Sequence, residues 1–499
     1  MSQDIVERLK GLASGAQRPW LREQGRATIT YAQLWDDTAR YAAALAELGV
    51  GPRDRVLVQL EKAPEVLVLY LACLRLGSVF LPVNPGYTLA ETEYFLEDAS
   101  PALVIADSAR REALRGAYPA GPTMLSLTEF VARARAAAAK FADPPHAPDD
   151  LAAILYTSGT TGRSKGVMLS RDNLASNAEA LVGQWRFTGA DVLLHTLPVF
   201  HTHGLFVATN CVLCAGASMI LQRAFVVGEV LRALPEASVM MGVPTFYSRL
   251  LAEPALSREA VAAVRLFISG SAPLSPATFA AWEARTGQRI LERYGMTETS
   301  MITSNPYAGE RRAGTVGQPL PGVSVRIADA EGGGLAPGEI GSIEVAGPNV
   351  FKGYWQRPEQ TAAEFRADGY FLTGDLGAFD ADGYLAISGR AKDLVITGGL
   401  NVYPAEVEAA LDRLTGVEAS AVIGVPHPDF GEAVVACVVA SGPVEPEVLR
   451  AALREVLAAF KVPKRIILVA DLPRNAMGKV QKAELRKTYA AVFSDVGRG

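Results

Sequence analysis

An α/β fold in two unequal domains is what the sequence predicts, and three observations carry that expectation. At 499 residues the chain exceeds the roughly 250–300 residues at which a single core stops growing. Apolar runs of strand length alternate with helical patterns over most of the chain, as parallel sheets covered by helices require. The texture then shifts twice, near residue 322 and again near residue 390.

The elements follow in order. Arg55-Val-Leu-Val-Gln-Leu reads as a buried strand, and 64–76 as a helix opened by Pro64 at a first helical position. A second helical pattern covers 88–98, and Ala102-Leu-Val-Ile-Ala-Asp is the next strand. The Ala/Arg-rich stretch 132–139 reads as one surface helix. Apolar 151–155 and Val264-Arg-Leu-Phe-Ile-Ser-Gly are further strands. From about 322 to 345 short strands with Gly-rich turns (323–327, 341–345) predict a smaller β region. After Lys392 the pattern is a compact α+β unit: helix 404–414, strands 419–425 and 434–439, helix 445–460 and strand 465–469. The boundary is therefore placed at Lys392, giving domains 1–391 and 392–499.

Composition bounds the function. A hydrophobic content of 49% with 20% charged residues describes an ordinary globular protein. A net charge of −5 with no basic tract argues against nucleic acid as the main partner. No uninterrupted apolar run of about 18 residues exists to insert in a membrane. The N-terminus lacks the basic and apolar regions of a signal peptide. Cys73, Cys211, Cys214 and Cys437 sit among apolar neighbours and read as buried thiols, so the expected location is the cytoplasm. Cys211-x-x-Cys214 has no second pair for zinc.

Chemistry concentrates in a few boxes. Tyr156-Thr-Ser-Gly-Thr-Thr-Gly-Arg-Ser-Lys-Gly166 combines glycines, hydroxyls and a lysine, all suited to holding polyphosphate. It lacks the Gly-x-x-x-x-Gly-Lys-Ser/Thr spacing of the common P-loop. Tyr294-Gly-Met-Thr-Glu-Thr299 offers an aromatic for a purine, Thr297 for a phosphate and Glu298 for Mg²⁺. Phe371-Leu-Thr-Gly-Asp375 places a carboxylate in a Gly-flanked turn, where it could accept ribose hydroxyls. Gly389-Arg390 and Gly478-Lys479 add cations.

Taken in order, these five boxes resemble the adenylate-forming superfamily of acyl-CoA synthetases, luciferases and peptide-synthetase adenylation domains, over nearly the whole chain. The resemblance implies a large N-terminal domain of two sheet-and-helix subdomains plus a distorted β-barrel. A small mobile α+β C-terminal domain would complete it. ATP with Mg²⁺, CoA as co-substrate and an acyl-adenylate intermediate are implied too. Residue by residue, it assigns Thr157, Ser158, Gly159, Thr160, Thr161 and Lys165 to the β,γ-phosphates, with Thr160 beside the metal. Thr297 meets the α-phosphate and Glu298 the magnesium. Gly270, Ser271, Ala272 and Pro273, with Glu292, Arg293, Tyr294, Gly295 and Met296, wall the nucleotide pocket. Asp375 and Arg390 hold the ribose. Lys479 serves adenylation, Lys392 is the hinge, and Gly398 and Gly399 line the CoA channel.

The acyl pocket is distinctive. His201 and His203 lie in Pro198-Val-Phe-His-Thr-His-Gly, and Arg293 precedes the Tyr-Gly-Met-Thr-Glu box. Burying an unpaired cation costs several kcal/mol, about 3–5, and makes no sense for a fatty chain. It suits a substrate with a second carboxylate. These segments, with Ser271 and Met296, resemble malonyl-CoA synthetases, implying malonate, with methylmalonate as a slower acid. Alternatives remain open: a salt bridge of Arg293 to Glu292 or Glu298, another short acid, a carrier-loading adenylation enzyme, or a non-catalytic nucleotide-binding regulator. A metal site at His201 and His203 has only His195 as a third ligand and no carboxylate.

Overall fold

The computed structural model describes residues 3–14, 17–157, 164–397, 400–427, 430–475 and 478–493. Two large, mainly parallel sheets form the body of the chain. In the six-stranded sheet the order is Thr123–Ser126, Leu103–Ala106, Arg55–Gln59, Val79–Pro82, Leu151–Thr157, Lys165–Ser170. All neighbours are parallel except the last pair. The helix Pro64–Leu76 is buried along almost its whole length and is apolar nearly all round, its buried Arg75 being paired with Asp143, and Gly77 ends it at φ 79°. Leu89–Ala99 starts with a reciprocal Thr88/Glu91 cap. The alanine-rich helix runs over Leu127–Ala136 and buries Phe130 and Ala134, so it is half core rather than surface.

The nine-stranded sheet carries the site. Its parallel centre aligns Val192–His195, Val239–Gly242, Leu266–Ser269 and Leu291–Met296. The register pairs His195 with Met241, Gly242 with Ser269 and Ser269 with Glu292. Four carboxyl ends therefore open onto one edge, where ligands of open α/β sheets bind.

The β region is a four-stranded antiparallel sheet of Ser324–Ala328, Gly341–Ala346, Phe371–Phe379 and Leu385–Arg390, in chain order. Here one local expectation is corrected. Asp375 lies inside the strand Phe371–Phe379, not in a turn, because Gly374 at φ 70° and a register shift after Leu376 absorb the irregularity.

The C-terminal unit has its own five-stranded sheet, built on Val417–His427 and Gly431–Ala440. Alternation along these strands splits two cores. Val422, Val434 and Ala436 face the helices Pro404–Leu411 and Pro446–Val456. Ala421, Ile423 and Val435 face Leu472 and Leu485, the latter from the helix Lys482–Tyr489. Among the described residues no helix is long and apolar enough to cross a membrane.

Candidate active site

Thr157 pairs with Lys165 across an antiparallel hairpin. The glycine/hydroxyl loop therefore joins two strands, whereas a P-loop leads into a helix. Ser158, Gly159, Thr160 and Thr161 fall outside the described residues. At the loop's exit the Tyr94 hydroxyl donates to Ser164 O at 2.6 Å. Lys165 Nζ forms an ion pair with Glu364 Oε1 at 2.7 Å.

The Tyr-Gly-Met-Thr-Glu box is a hairpin joining Leu291–Met296 to Ser300–Ser304, with Thr297 in its turn. Gly295 is required there, since a Cβ would lie 2.0 Å from Ser300 O. The Tyr294 hydroxyl donates to Asp375 Oδ2, and Arg390 Nε contacts Asp375 Oδ1 at 2.6 Å. Tyr294, Asp375 and Arg390 thus join three strands into one polar platform suited to a ribose. Glu298 is buried, which raises its pKa, and shares the Tyr354 hydroxyl with Glu364 at 3.1 and 2.6 Å. Among the described residues no cluster of three or more metal-ligating side chains exists. Buried Glu298, with Glu364 across the same hydroxyl, fits a magnesium ion that arrives on a triphosphate, because Mg²⁺ takes only one or two protein carboxylates and fills its shell with phosphate and water oxygens.

The residues expected to line the acyl pocket gather at the same edge. Along Leu291–Met296 successive side chains alternate in direction. Glu292 accepts from Leu274 N at 3.0 Å, so its carboxylate tethers the Gly270–Pro273 loop, and burial pushes it up to about 8. Arg293 packs across Gly270, where a Cβ would sit 2.4 Å from the guanidinium carbon. That contact explains the glycine. Ser271, at φ 71°, turns its hydroxyl to His203 Nδ1 at 3.2 Å. Left-handed backbone at a serine is strain of the kind that clusters at binding sites. Ala272 is half-buried and Pro273 exposed beside it, and Met296 is half-buried.

Arg293 is 2% exposed, and its Nε and Nη2 have no hydrogen-bond partner. No ion pair to Glu292 or Glu298 is found among the described residues, so the salt-bridge alternative falls. His203 Nε2 is likewise buried without a partner. Burial, reinforced by Arg293, holds both imidazoles neutral: His201 drops to about 4 and His203 falls well below its usual range. Burial also lowers Arg293, yet a guanidinium remains charged at neutral pH. The pocket is one buried cation flanked by two neutral imidazoles. Such an arrangement has the chemistry to accept an anion.

Sequence reasoning missed the support beneath it. His203–Thr209 is a π-helix, a form frequent at functional sites. Gly204 fits against Pro198 O, 2.1 Å from where a Cβ would stand. His195 Nε2 donates to Gly204 O at 2.9 Å, which leaves Nδ1 to accept from buried Lys62 Nζ at 2.8 Å. His195 is thereby committed to the protein, which removes the third ligand of any metal site at His201 and His203. Nothing in the sequence around Lys62 marks it.

The depressed imidazoles make a stability prediction. The folded pKa of His201, about 4, lies below the roughly 6.5 of an unfolded histidine. Its contribution is complete above pH 6.5 and is lost as pH falls toward 4, because the unfolded chain takes up the proton first. In that window His201 should contribute a slope of about 1.4 kcal/mol per pH unit. Urea unfolding of His201→Gln should show a pH slope reduced by that amount. Glu292, raised by burial, acts with the opposite sign in both proteins and cancels from the comparison. An unchanged slope would assign the acid sensitivity elsewhere.

Lys479 reaches the site from the C-terminal unit. Gly478, at φ 75°, lies against Thr245, 3.2 Å from where its Cβ would be. Surrounding protein and the nearby Arg390 lower the Lys479 ammonium, and Lys479 in turn helps to depress His201. Lys392 sits exposed in the 3₁₀ turn Ala391–Asp393, between Leu385–Arg390 and Val395–Thr397. Asp393 is paired with Arg486. Gly398 and Gly399 lie outside the described residues. Cys73, Cys211 and Cys437 are buried, and Cys214 is half-buried.

A model of the AMP-binding enzyme family matches residues 13–355, and that of the AMP-binding enzyme C-terminal domain matches 406–479. A feruloyl-CoA synthase of Amycolatopsis sp is 37% identical over 93% of this chain and 95% of its own. A malonate–CoA ligase of Arabidopsis thaliana is 36% identical, covering 83% of this chain and 74% of its own. The crystal structure of ATP-bound MatB from Rhodopseudomonas palustris superposes with a TM-score of 0.96 at 51% identity, covering 99% of this chain and 100% of that one. The apo form of the same protein gives 0.85.

Proposed function

Because the chain belongs to the AMP-binding enzyme family and is an AMP-forming acyl-CoA ligase using ATP and CoA, we propose that its acid is malonate, converted through malonyl-AMP to malonyl-CoA, AMP and pyrophosphate. One observation carries this reading: a fully buried Arg293 with two unpartnered nitrogens beside neutral His203. A monocarboxylate would leave that guanidinium unpaired, at a cost of roughly 3–5 kcal/mol. A dicarboxylate neutralises it with its distal group and offers the proximal group to ATP. Methylmalonate fits as a slower substrate, since one methyl group is worth about 1–3 kcal/mol.

The chemistry needs no general base, because the attacking carboxylate is already ionised at pH 7. Bringing it to the α-phosphate is a matter of position and charge. Arg293 fixes the far end of the acid. Asp375 and Arg390 orient the ribose, and Thr297 and Lys479 meet the α-phosphate and the reacting carboxylate. Lys165 takes the β,γ-phosphates. Magnesium, held by Glu298, would neutralise charge on the phosphates. Mass identification of the thioester from malonate, ATP and CoA tests this assignment, and a phosphopantetheinyl carrier protein offered instead of CoA tests carrier loading.

The second half-reaction is proposed to use a rotation of the unit from Lys392 onward. The closer match to an ATP-bound than to an apo relative supports two arrangements in this fold, with Lys479 now facing the nucleotide side. Proline at position 392 would fix φ near roughly −65° and remove the amide donor. Lys392→Pro should keep malonyl-AMP formation and lose most thioester formation, seen in quenched flow as adenylate that accumulates. Full thioester activity would move the pivot elsewhere.

A further inference from the structure

The site contains an acidic side chain that the reaction as described does not use. Glu364 follows the helix Pro358–Ala363 and binds Lys165 Nζ at 2.7 Å. Its other oxygen accepts from the Tyr354 hydroxyl at 2.6 Å, and the same hydroxyl lies 3.1 Å from Glu298. The Lys165 ammonium also stands over the Tyr354 ring at 4.5 Å. The backbone around this group is tied down. Trp355 N donates to Gly166 O at 2.7 Å, Met168 N to Gly353 O at 3.0 Å and Tyr354 N to Thr361 Oγ1 at 2.9 Å.

This geometry creates a competition. Lys165 begins the strand that leaves the phosphate loop, and Glu364 already neutralises its single positive charge, so a triphosphate must compete with that carboxylate for it. Its four-carbon stem lets the ammonium swing without backbone movement. The Tyr354 phenol has one proton for two carboxylates, so once Lys165 leaves, Glu364 and Glu298 share a donor with no cation between them.

We propose that Glu364 is a resident substitute for the triphosphate, a positioning residue that holds Lys165 until ATP displaces it and so sets the affinity for ATP without touching that for AMP. The inference rests on the reading that Lys165 handles the β,γ-phosphates.

Calorimetric titration of the intact protein with AMP and with ATP in EDTA tests it, using Glu364→Gln, Lys165→Met and the double variant. Glu364→Gln should tighten ATP by about two- to fivefold, the range for a partly exposed ion pair, and leave AMP unchanged. Lys165→Met should weaken ATP, and in its background Glu364→Gln should have no effect. Weaker ATP binding by Glu364→Gln, or an equal change for AMP, overturns the proposal. If Lys165→Met weakens ATP while Glu364→Gln changes nothing, the proposal alone fails. If Lys165→Met leaves ATP binding intact, the underlying assignment of Lys165 fails first. Glu364→Asp, which keeps the charge but shortens its reach, should also tighten ATP and serves if the glutamine variant folds poorly.

Discussion

Arg293→Ala should raise the malonate KM by about two to three orders of magnitude while leaving acetate nearly unchanged. The magnitude follows from burial. Removing a charged partner costs about 1.5–3 kcal/mol through the lost hydrogen bonds. Leaving the distal carboxylate unpaired in a closed pocket brings the total toward roughly 3–5 kcal/mol. Arg293 is 2% exposed with two free nitrogens, so no bound partner in the protein dilutes the effect. Acetate places nothing there. It should gain slightly, because the substitution removes an uncompensated cation. Steady-state kinetics with both acids reads the difference. Equal losses would mean that Arg293 supports Gly270 and the fold, against which it packs.

Lys479→Ala should abolish adenylate formation and spare the conversion of supplied malonyl-AMP and CoA to thioester. Two anions meet at the α-phosphate, and oriented cations at such a site contribute strongly to transition-state stabilisation, on the order of 10²–10³ in rate for one donor. The lysine stands close enough to Arg390 and His201 to perturb His201 and to be perturbed by Arg390. Gly478, the residue before it, lies beside Thr245 of the helix Pro244–Leu251. Rotation of the C-terminal unit would withdraw it before CoA attacks. A variant equally defective with preformed adenylate would contradict the two-arrangement scheme.

How much of this was legible in the sequence varies by residue. Arg293 stood out because a cation directly precedes the Tyr-Gly-Met-Thr-Glu box, beside segments expected to face the acid, and the structure places it against Gly270 and near His203 and Ser271. The order of the five boxes pointed to Tyr294, Asp375 and Arg390, which the fold joins from three strands. The strand containing Asp375 was misread as a turn, since Gly-Asp is turn chemistry locally and only sheet pairing from Leu385–Arg390 overrides it. The π-helix at His203–Thr209 was invisible: its register depends on Pro198 and on His195, which no local pattern encodes. Lys62, Tyr354 and Glu364 were missed for the same reason. Each is an ordinary residue in its own segment, and meaning comes only from a partner on a separate segment, more than 50 residues away for Lys62 and Tyr354 and nearly 200 for Glu364.

Pyrophosphate release across acetate, malonate, methylmalonate, succinate and octanoate, each with ATP, Mg²⁺ and CoA, addresses the central claim most directly. If buried Arg293 takes the distal carboxylate, as proposed, malonate should be the best substrate by kcat/KM. Methylmalonate should follow within the roughly 10–200-fold that one methyl group allows, with acetate and octanoate far behind. Highest kcat/KM for octanoate or acetate would contradict the reading of Arg293 as the receptor for a second carboxylate.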